Sequence, residues 1–125
     1  MREIKFRAWL KEERKMVNVE TLFIGINRLC FGNSKTEDLF FRDFEEVELM
    51  QYTGVRDKNG KEIYEGDIVV LNNIKNDNMR IVRYEHGSYR LEGWGLREDL
   101  SNAEARFLEV VGNIYENKNL LEENN

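Results

Sequence analysis

Cysteine and histidine each occur once in this 125-residue chain, and proline not at all. A lone cysteine cannot close an intrachain disulfide, and one cysteine with one histidine cannot supply the four ligands of a structural zinc site. No apolar run approaches the roughly 20 residues that a membrane-spanning helix needs. The N-terminal stretch Met1-Arg2-Glu3-Ile4-Lys5 lacks the apolar segment of a signal peptide. A strongly basic balance, the usual mark of a nucleic-acid-binding domain, is also missing: 19 Lys and Arg stand against 24 Asp and Glu, a net charge of −5. What these absences leave is a soluble, mildly acidic chain of a reducing compartment, expected in the cytoplasm and not at a membrane. A chain of this length is expected to form one domain spanning 1–125 and to bury about two-thirds of its unfolded surface without covalent staples.

What the sequence has in quantity is short alternating segments. Ile4, Phe6 and Ala8 fall on one side and Glu3, Lys5 and Arg7 on the other, the period of a half-buried strand. A charged break, Lys11-Glu12-Glu13-Arg14-Lys15, leads into residues 16–26, where Met16, Val17, Val19, Leu22, Phe23, Ile24 and Ile26 predict a second strand and hence an antiparallel hairpin. Ser34 and Glu37 have capping-box spacing, which predicts one or two helical turns over 37–44, with Phe40, Phe44 and Val47 at helical intervals. Glu37, Asp38, Asp43, Glu45, Glu46 and Glu48, set against Arg42 alone, read as a solvated face.

Val47, Leu49, Gln51, Thr53 and Val55 alternate as a third strand. Asn59-Gly60 between that run and the next predicts a hairpin on a type I′ turn, which needs positive φ at both central residues. Further strands are expected at 62–64, 68–71, 79–85, 88–94 and 107–114, separated by Glu65-Gly66-Asp67, a polar tip at 72–78, and His86-Gly87. Ser101 with Glu104 has the form of a capped helix start, and residues 117–125 make an acidic tail anchored by Leu120 and Leu121. Short strands punctuated by glycine turns have the pattern of a small barrel.

Three stretches are familiar as a set: Met1-Arg2-Glu3-Ile4-Lys5-Phe6-Arg7-Ala8-Trp9; Leu49-Met50-Gln51-Tyr52-Thr53-Gly54 continuing through Asp57-Lys58-Asn59-Gly60-Lys61-Glu62-Ile63-Tyr64-Glu65-Gly66-Asp67-Ile68-Val69; and Val111-Gly112-Asn113-Ile114-Tyr115-Glu116-Asn117. In this order, over nearly the whole chain, they resemble the YopX family of phage and prophage proteins. Leu10 stands where members often carry Asp, and Lys118 where Pro commonly follows the last Asn. The resemblance implies a mostly β protein: an N-terminal β-hairpin region at about 1–46, an SH3-type barrel at about 47–116, short helical segments, and the acidic tail 117–125. It also implies a phage or prophage product working in the bacterial host cytoplasm, and brings no activity, substrate or catalytic residue with it.

Tested for chemistry, the residues give no catalytic constellation. Counted from Asp57 as a calcium loop, Gly60 is fourth instead of sixth and Ile68 stands where a bidentate Glu is needed. Gly32-Asn33-Ser34-Lys35-Thr36 lacks the Gly-Lys-Ser/Thr triplet of a phosphate loop, and Gly93-Trp94-Gly95 is a bend around an aromatic residue. His86 reads as an exposed turn residue, and Cys30, between Leu29 and Phe31, as a small buried hydrophobe. The expectation is a protein without enzymatic activity, cofactor or metal.

Two functional classes remain. The first is a protein-interaction or assembly module, with Tyr64, Tyr84, Tyr89 and Trp94 on the strands that would form a partner surface and at least half of these aromatics expected in the core. The N-terminal hairpin edges suit pairing with a second copy, which makes a homo-oligomer reasonable. The second is a nucleic-acid-binding β protein acting in phage replication or regulation. Six basic residues in 1–15, with Arg80, Arg83, Arg90 and Arg97 near the aromatics, favour it, and the acidic balance opposes it. The discriminating feature is whether Arg80, Arg83 and Arg90 share one face or are scattered and ion-paired. The interaction module is the preferred reading.

Overall fold

A computed structural model describes residues 3–33, 35–71, 79–93, 96–100 and 105–122, the backbone alone for 96–98 and 122. Over these residues the chain is mostly β. The strands are β1 (Phe6–Leu10), β2 (Lys15–Phe23), β3 (Arg28–Asn33), β4 (Asp38–Asp43), β5 (Val47–Arg56), β6 (Glu62–Tyr64), β7 (Asp67–Leu71), β8 (Met79–Glu85), β9 (Ser88–Gly93), β10 (Leu96–Asp99) and β11 (Leu108–Asn113). Single 3-10 turns follow β2 (Ile24–Ile26) and β4 (Phe44–Glu46), and a short helix, α1 (Lys118–Glu122), follows β11. No helix among the described residues is long and apolar enough to cross a membrane. The chain divides into two compact units, Glu3–Gln51 and Tyr52–Asn125, the second also taking in the first two residues.

In the first unit the strand order is β4-β3-β2-β1-β5, all neighbours antiparallel. The register places Ala8 opposite Val17 and Leu49, and Leu10 opposite Lys15 and Val47. One face therefore collects Ala8, Leu10, Leu29 and Val47 as a buried cluster, with Val17, Val19, Leu22, Phe31, Phe44 and Leu49 packed around it. The in–out alternation expected at 3–9 is not seen in burial, since Phe6 and Arg7 are both half-buried. Ile4 is exposed, whereas Ala8, Trp9 and Leu10 are all buried, because β1 is an inner strand flanked on both sides.

The second unit holds the five-stranded sheet β10-β9-β8-β7-β11, and β6 pairs with the end of β5 through Tyr52–Tyr64 and Arg56–Glu62. β7 is an inner strand between β8 and β11, and its Asp67, Ile68, Val69 and Val70 are buried on both faces. Val69 joins Ile63, Val82, Leu91, Ala105 and Leu108 on one side. Ile68 and Val70 join Met79 on the other, where Val111, Ile114, Leu120 and Leu121 close over them. The two leucines thus anchor the tail as expected, by way of a helix.

Several expectations are corrected. The ladder does not close among the described residues, so the small barrel expected over 47–116 is instead an open sheet with β6 beside it. Turn spacing specifies which strands are sequential neighbours; closure depends on the first meeting the last, which no local pattern encodes. The helix expected over 37–44 is the strand β4. The capping box expected at Ser34 and Glu37 does not start a helix; one forms nine residues on, where the Asp43 and Glu46 side chains exchange bonds with each other's backbone N–H and start the 3-10 turn. Strand β2 also ends at Phe23, three residues early, where Ile24–Ile26 turns back.

The hairpin at Asn59-Gly60 forms on a different turn. Of those two residues only Gly60 has positive φ (+81°). The Gly60 N–H bonds to the Asp57 carbonyl at 3.0 Å and the Asp57 N–H to the Lys61 carbonyl at 2.8 Å, a three-residue connection with glycine as the bulge. The Asp57 side chain selects it: Oδ1 accepts from the Asn59 and Lys61 N–H groups at 2.8 and 2.9 Å, and Oδ2 from the Val110 N–H at 2.9 Å. The turn with positive φ at both centres is His86-Gly87 (+51° and +84°), between the paired residues Glu85 and Ser88. The expected polar tip at 72–78 and helix start at Ser101 fall outside the described residues.

Candidate interaction surfaces

The β8–β9 hairpin carries most of the residues singled out from the sequence. Its register pairs Val82 with Leu91, Arg83 with Arg90 and Tyr84 with Tyr89. Side chains alternate along each strand, so Arg80, Val82 and Tyr84 share one face while Arg83 and Arg90 share the other. Tyr84 is 54% exposed and meets Tyr89 edge-on with ring centroids 5.0 Å apart. At the other end of β8 Arg80 turns its guanidinium to the Met79 carbonyl at 3.0 Å. Gly93 leaves space for the Arg80 stem, since a Cβ there would stand 2.9 Å from the Arg80 Cδ.

On the opposite face Arg90 bonds the Glu85 carbonyl at 3.4 Å and approaches the Asp99 carboxylate at 3.7 Å. Arg83 lies directly across from it, like charge against like charge. The three arginines therefore do not form one stripe: Arg80 is on the far side of the sheet from the other two, and Arg90 is ion-paired. Tyr64 is no part of a surface. It is 8% exposed and packs on Tyr52 with centroids 5.6 Å apart, because the short strand β6 turns it into the core. Trp94 and the Arg97 side chain fall outside the described residues.

A second surface, absent from the sequence expectations, lies on the β3–β4 hairpin of the first unit. Once 38–43 is a strand, the adjacent Phe40 and Phe41 must point to opposite faces. Phe40 is 53% exposed and stacks on its cross-strand neighbour Phe31 at 5.4 Å, over which the Arg42 guanidinium sits at 5.5 Å. Phe41 is 45% exposed, lies 6.2 Å from Phe23, and has Arg28 over it at 5.9 Å. Arg28 is paired with Asp43 at 3.1 Å, and Arg42 with Glu13 at 3.3 Å. Ile24 and Ile26, in the turn between β2 and β3, are 68% and 66% exposed. Large apolar side chains grouped in this way are unusual on a solvated surface. The signal was in the sequence: Leu39-Phe40-Phe41 cannot all be hidden in a two-sided strand, and the helical reading concealed this.

The six acids of 37–48 are all exposed, as a solvated face requires. Asp43 answers Arg28, and Glu48 answers Lys11 at 3.5 Å. Cys30 is free and buried, and His86 is exposed at its turn.

No curated protein matches this chain. The crystal structure of protein EF1440 from Enterococcus faecalis is similar at 32% sequence identity and a TM-score of 0.70, over 97% of this chain and 99% of that one. The family model described as YopX protein matches residues 5–122. Fold, motif order and extent of the match agree, and the chain belongs to the YopX family.

Proposed function

We propose that this chain is a non-enzymatic protein-interaction or assembly module, a phage product of the host cytoplasm whose working surface is the β3–β4 hairpin. The observation that carries the reading is Phe40 and Phe41, half exposed on opposite faces of a strand that ends its sheet. Each would gain on the order of 1 kcal/mol or more by losing its remaining contact with water, and aromatic residues beside arginine are the usual anchors of protein interfaces. The alternative, single-stranded nucleic acid stacked on Tyr84 and Tyr89, has less support. Its arginines are divided between two faces, and the net charge of −5 repels a phosphate backbone.

Affinity capture from host lysate during phage growth, with and without nuclease, tests the choice. The expected result is a stoichiometric protein that survives nuclease, is retained by Tyr84→Ser, and is lost with the double variant Phe40→Ser/Phe41→Ser. Recovery that disappears on nuclease treatment and with Tyr84→Ser, but not with the phenylalanine variant, overturns the proposal in favour of nucleic acid.

A further inference from the structure

We infer that the partner seated on the β4 edge is a second copy of this chain, paired antiparallel about a twofold axis through Phe40. The inference rests on the interaction reading above and adds the identity of the partner and the register.

The first argument compares edges. Among the described residues four strands end a sheet: β4, β6, β10 and β11. β6 has three residues and β10 four. β11 carries a register shift between Val110 and Gly112, and neighbouring backbone and side-chain groups occupy its own: the Leu108 carbonyl accepts from the Lys58 N–H at 2.9 Å, and the Val110 N–H donates to Asp57. Each is thus too short or already used. β4 carries charge at Asp38, Arg42 and Asp43, and the Arg42 guanidinium bonds the Phe41 carbonyl at 2.8 Å, but it lacks the shortness, bulge, proline and lysine that block an edge outright. It runs six residues, Asp38-Leu39-Phe40-Phe41-Arg42-Asp43, pairs with β3 at every position without a shift, and contains neither proline nor lysine. It offers a ready edge for a seventh antiparallel partner strand or its equivalent.

The second argument is the charge pattern, which is complementary to itself in one register. With the axis through Phe40, Asp38 faces Arg42 of the second copy and Arg42 faces its Asp38, so two opposite-charge pairs form. Leu39 then faces Phe41 and Phe40 faces Phe40, apolar against apolar throughout. The ladder stops at Asp38, because Glu37 turns away at φ +64°. Shifting by one places Asp38 against Asp43 at both ends, like charge on like. Placing the axis at Phe41 sets Leu39 against Asp43. The chosen register also continues existing structure: each Phe40 already stacks on its own Phe31, so four rings would line one face of the seam. Two six-residue edges make a small interface, so the association is weak and concentration-dependent.

Analytical ultracentrifugation of the full chain, from micromolar to millimolar concentration, tests this together with two charge variants. Wild type is expected to pass from monomer to dimer. Asp38→Arg, which sets Arg against Arg twice, and Arg42→Asp, which sets Asp against Asp twice, should each raise the dimer dissociation constant by about tenfold or more. An equimolar mixture of the two variants should restore dimer as a heterodimer, since both cross-seam pairs become complementary again. Arg42 also packs on Phe31 and pairs with Glu13, so Phe40→Lys supplies an independent test in which two lysines meet on the axis and the dimer is lost. A wild-type chain that stays monomeric, a dimer that survives Asp38→Arg and Phe40→Lys, or a folded variant mixture that does not reassociate overturns the inference. A monomeric chain that still captures a host protein through Phe40 and Phe41 would overturn the self-pairing alone and leave the interaction reading standing.

Discussion

Removing the Asp57 carboxylate should destabilise the second unit more than any other single change to a turn. Asp57 is only 6% exposed, and it accepts three backbone N–H bonds at 2.8–2.9 Å, two within its own hairpin and one from Val110 in β11. Hydrogen bonds to a charged acceptor are worth about 1.5–3 kcal/mol net, and a half-buried donor left without an acceptor costs about 1–3 kcal/mol. The Asn59 and Lys61 donors belong to exposed residues and regain water, so their loss counts at the low end. Val110 is half buried and does not recover as fully. Asp57→Ala should therefore cost about 3–5 kcal/mol, a large fraction of the stability of a domain this size. Asp57→Asn should cost about 2–3 kcal/mol, because an amide keeps one acceptor oxygen and turns its NH2 toward a backbone donor. Urea unfolding followed by circular dichroism measures the loss. Amide hydrogen exchange locates it, with protection falling first at Asn59, Lys61 and Val110. An Asp57→Asn variant within about 0.5 kcal/mol of wild type would refute the reasoning.

Gly60→Val should cost more than about 1 kcal/mol, through backbone strain alone, since φ is +81° and no atom lies within 4 Å of the added Cβ; an unchanged thermal midpoint would remove the turn assignment. Gly112→Ala should cost about 1–3 kcal/mol for the opposite reason, because its Cβ would stand 2.6 Å from the Asn117 side chain, which is itself bonded to the Asn113 N–H. In a double-mutant cycle with Asn117→Ala the two losses should be less than additive, and strict additivity would show that this contact does not set the cost. Replacing Leu120 and Leu121 together by Ala should lower stability by about 2–4 kcal/mol in a thermal or urea melt, since both cover Ile68, Val70 and Met79; no change would mean the helix is not part of that core.

Much of this fold was legible because it is local. The positions of β5 to β9 and β11 follow from alternation and from glycines at 60, 66 and 87, whose positive φ no other residue adopts as cheaply. What failed was the choice between periods where a segment is short and mixed. Phe40 and Phe44 are four residues apart, and Ser34 with Glu37 imitates a helix start. The cross-strand stacking of Phe31 on Phe40 and of Arg42 on Phe31 decides for the strand, and it is invisible until β3 is alongside. The same limit governed the candidate site. Tyr64, Tyr84 and Tyr89 look alike in sequence, yet one is core and two are on a hairpin surface, because β6 and β8–β9 face different neighbours. Arg80 and Arg83 are three residues apart, and only the strand period places them on opposite faces.

The second and third motifs that carry the family resemblance include devices for holding turns. Asp57 ties its hairpin to β11, and Asp67 accepts the Tyr64 N–H at 2.8 Å across the Glu65-Gly66 turn. Gly66 is held between the Val82 carbonyl and the Ile114 N–H. Asn113 accepts from the Tyr115 and Glu116 N–H groups while Asn117 accepts from its own, with Gly112 leaving the room. Asp57, Asp67 and Asn113 are buried. Phe40, Phe41 and Arg42 lie between the first and second motifs and belong to neither. A chain can therefore keep every residue that marks it as a YopX protein while changing what its β4 edge will accept. Under the self-pairing proposed above, family membership would specify the scaffold and the sequence of β4 the partner. Transplanting Asp38–Asp43 into a homologous scaffold should transfer the self-pairing with its charge register, whereas exchanging the turn motifs should alter stability and leave association unchanged.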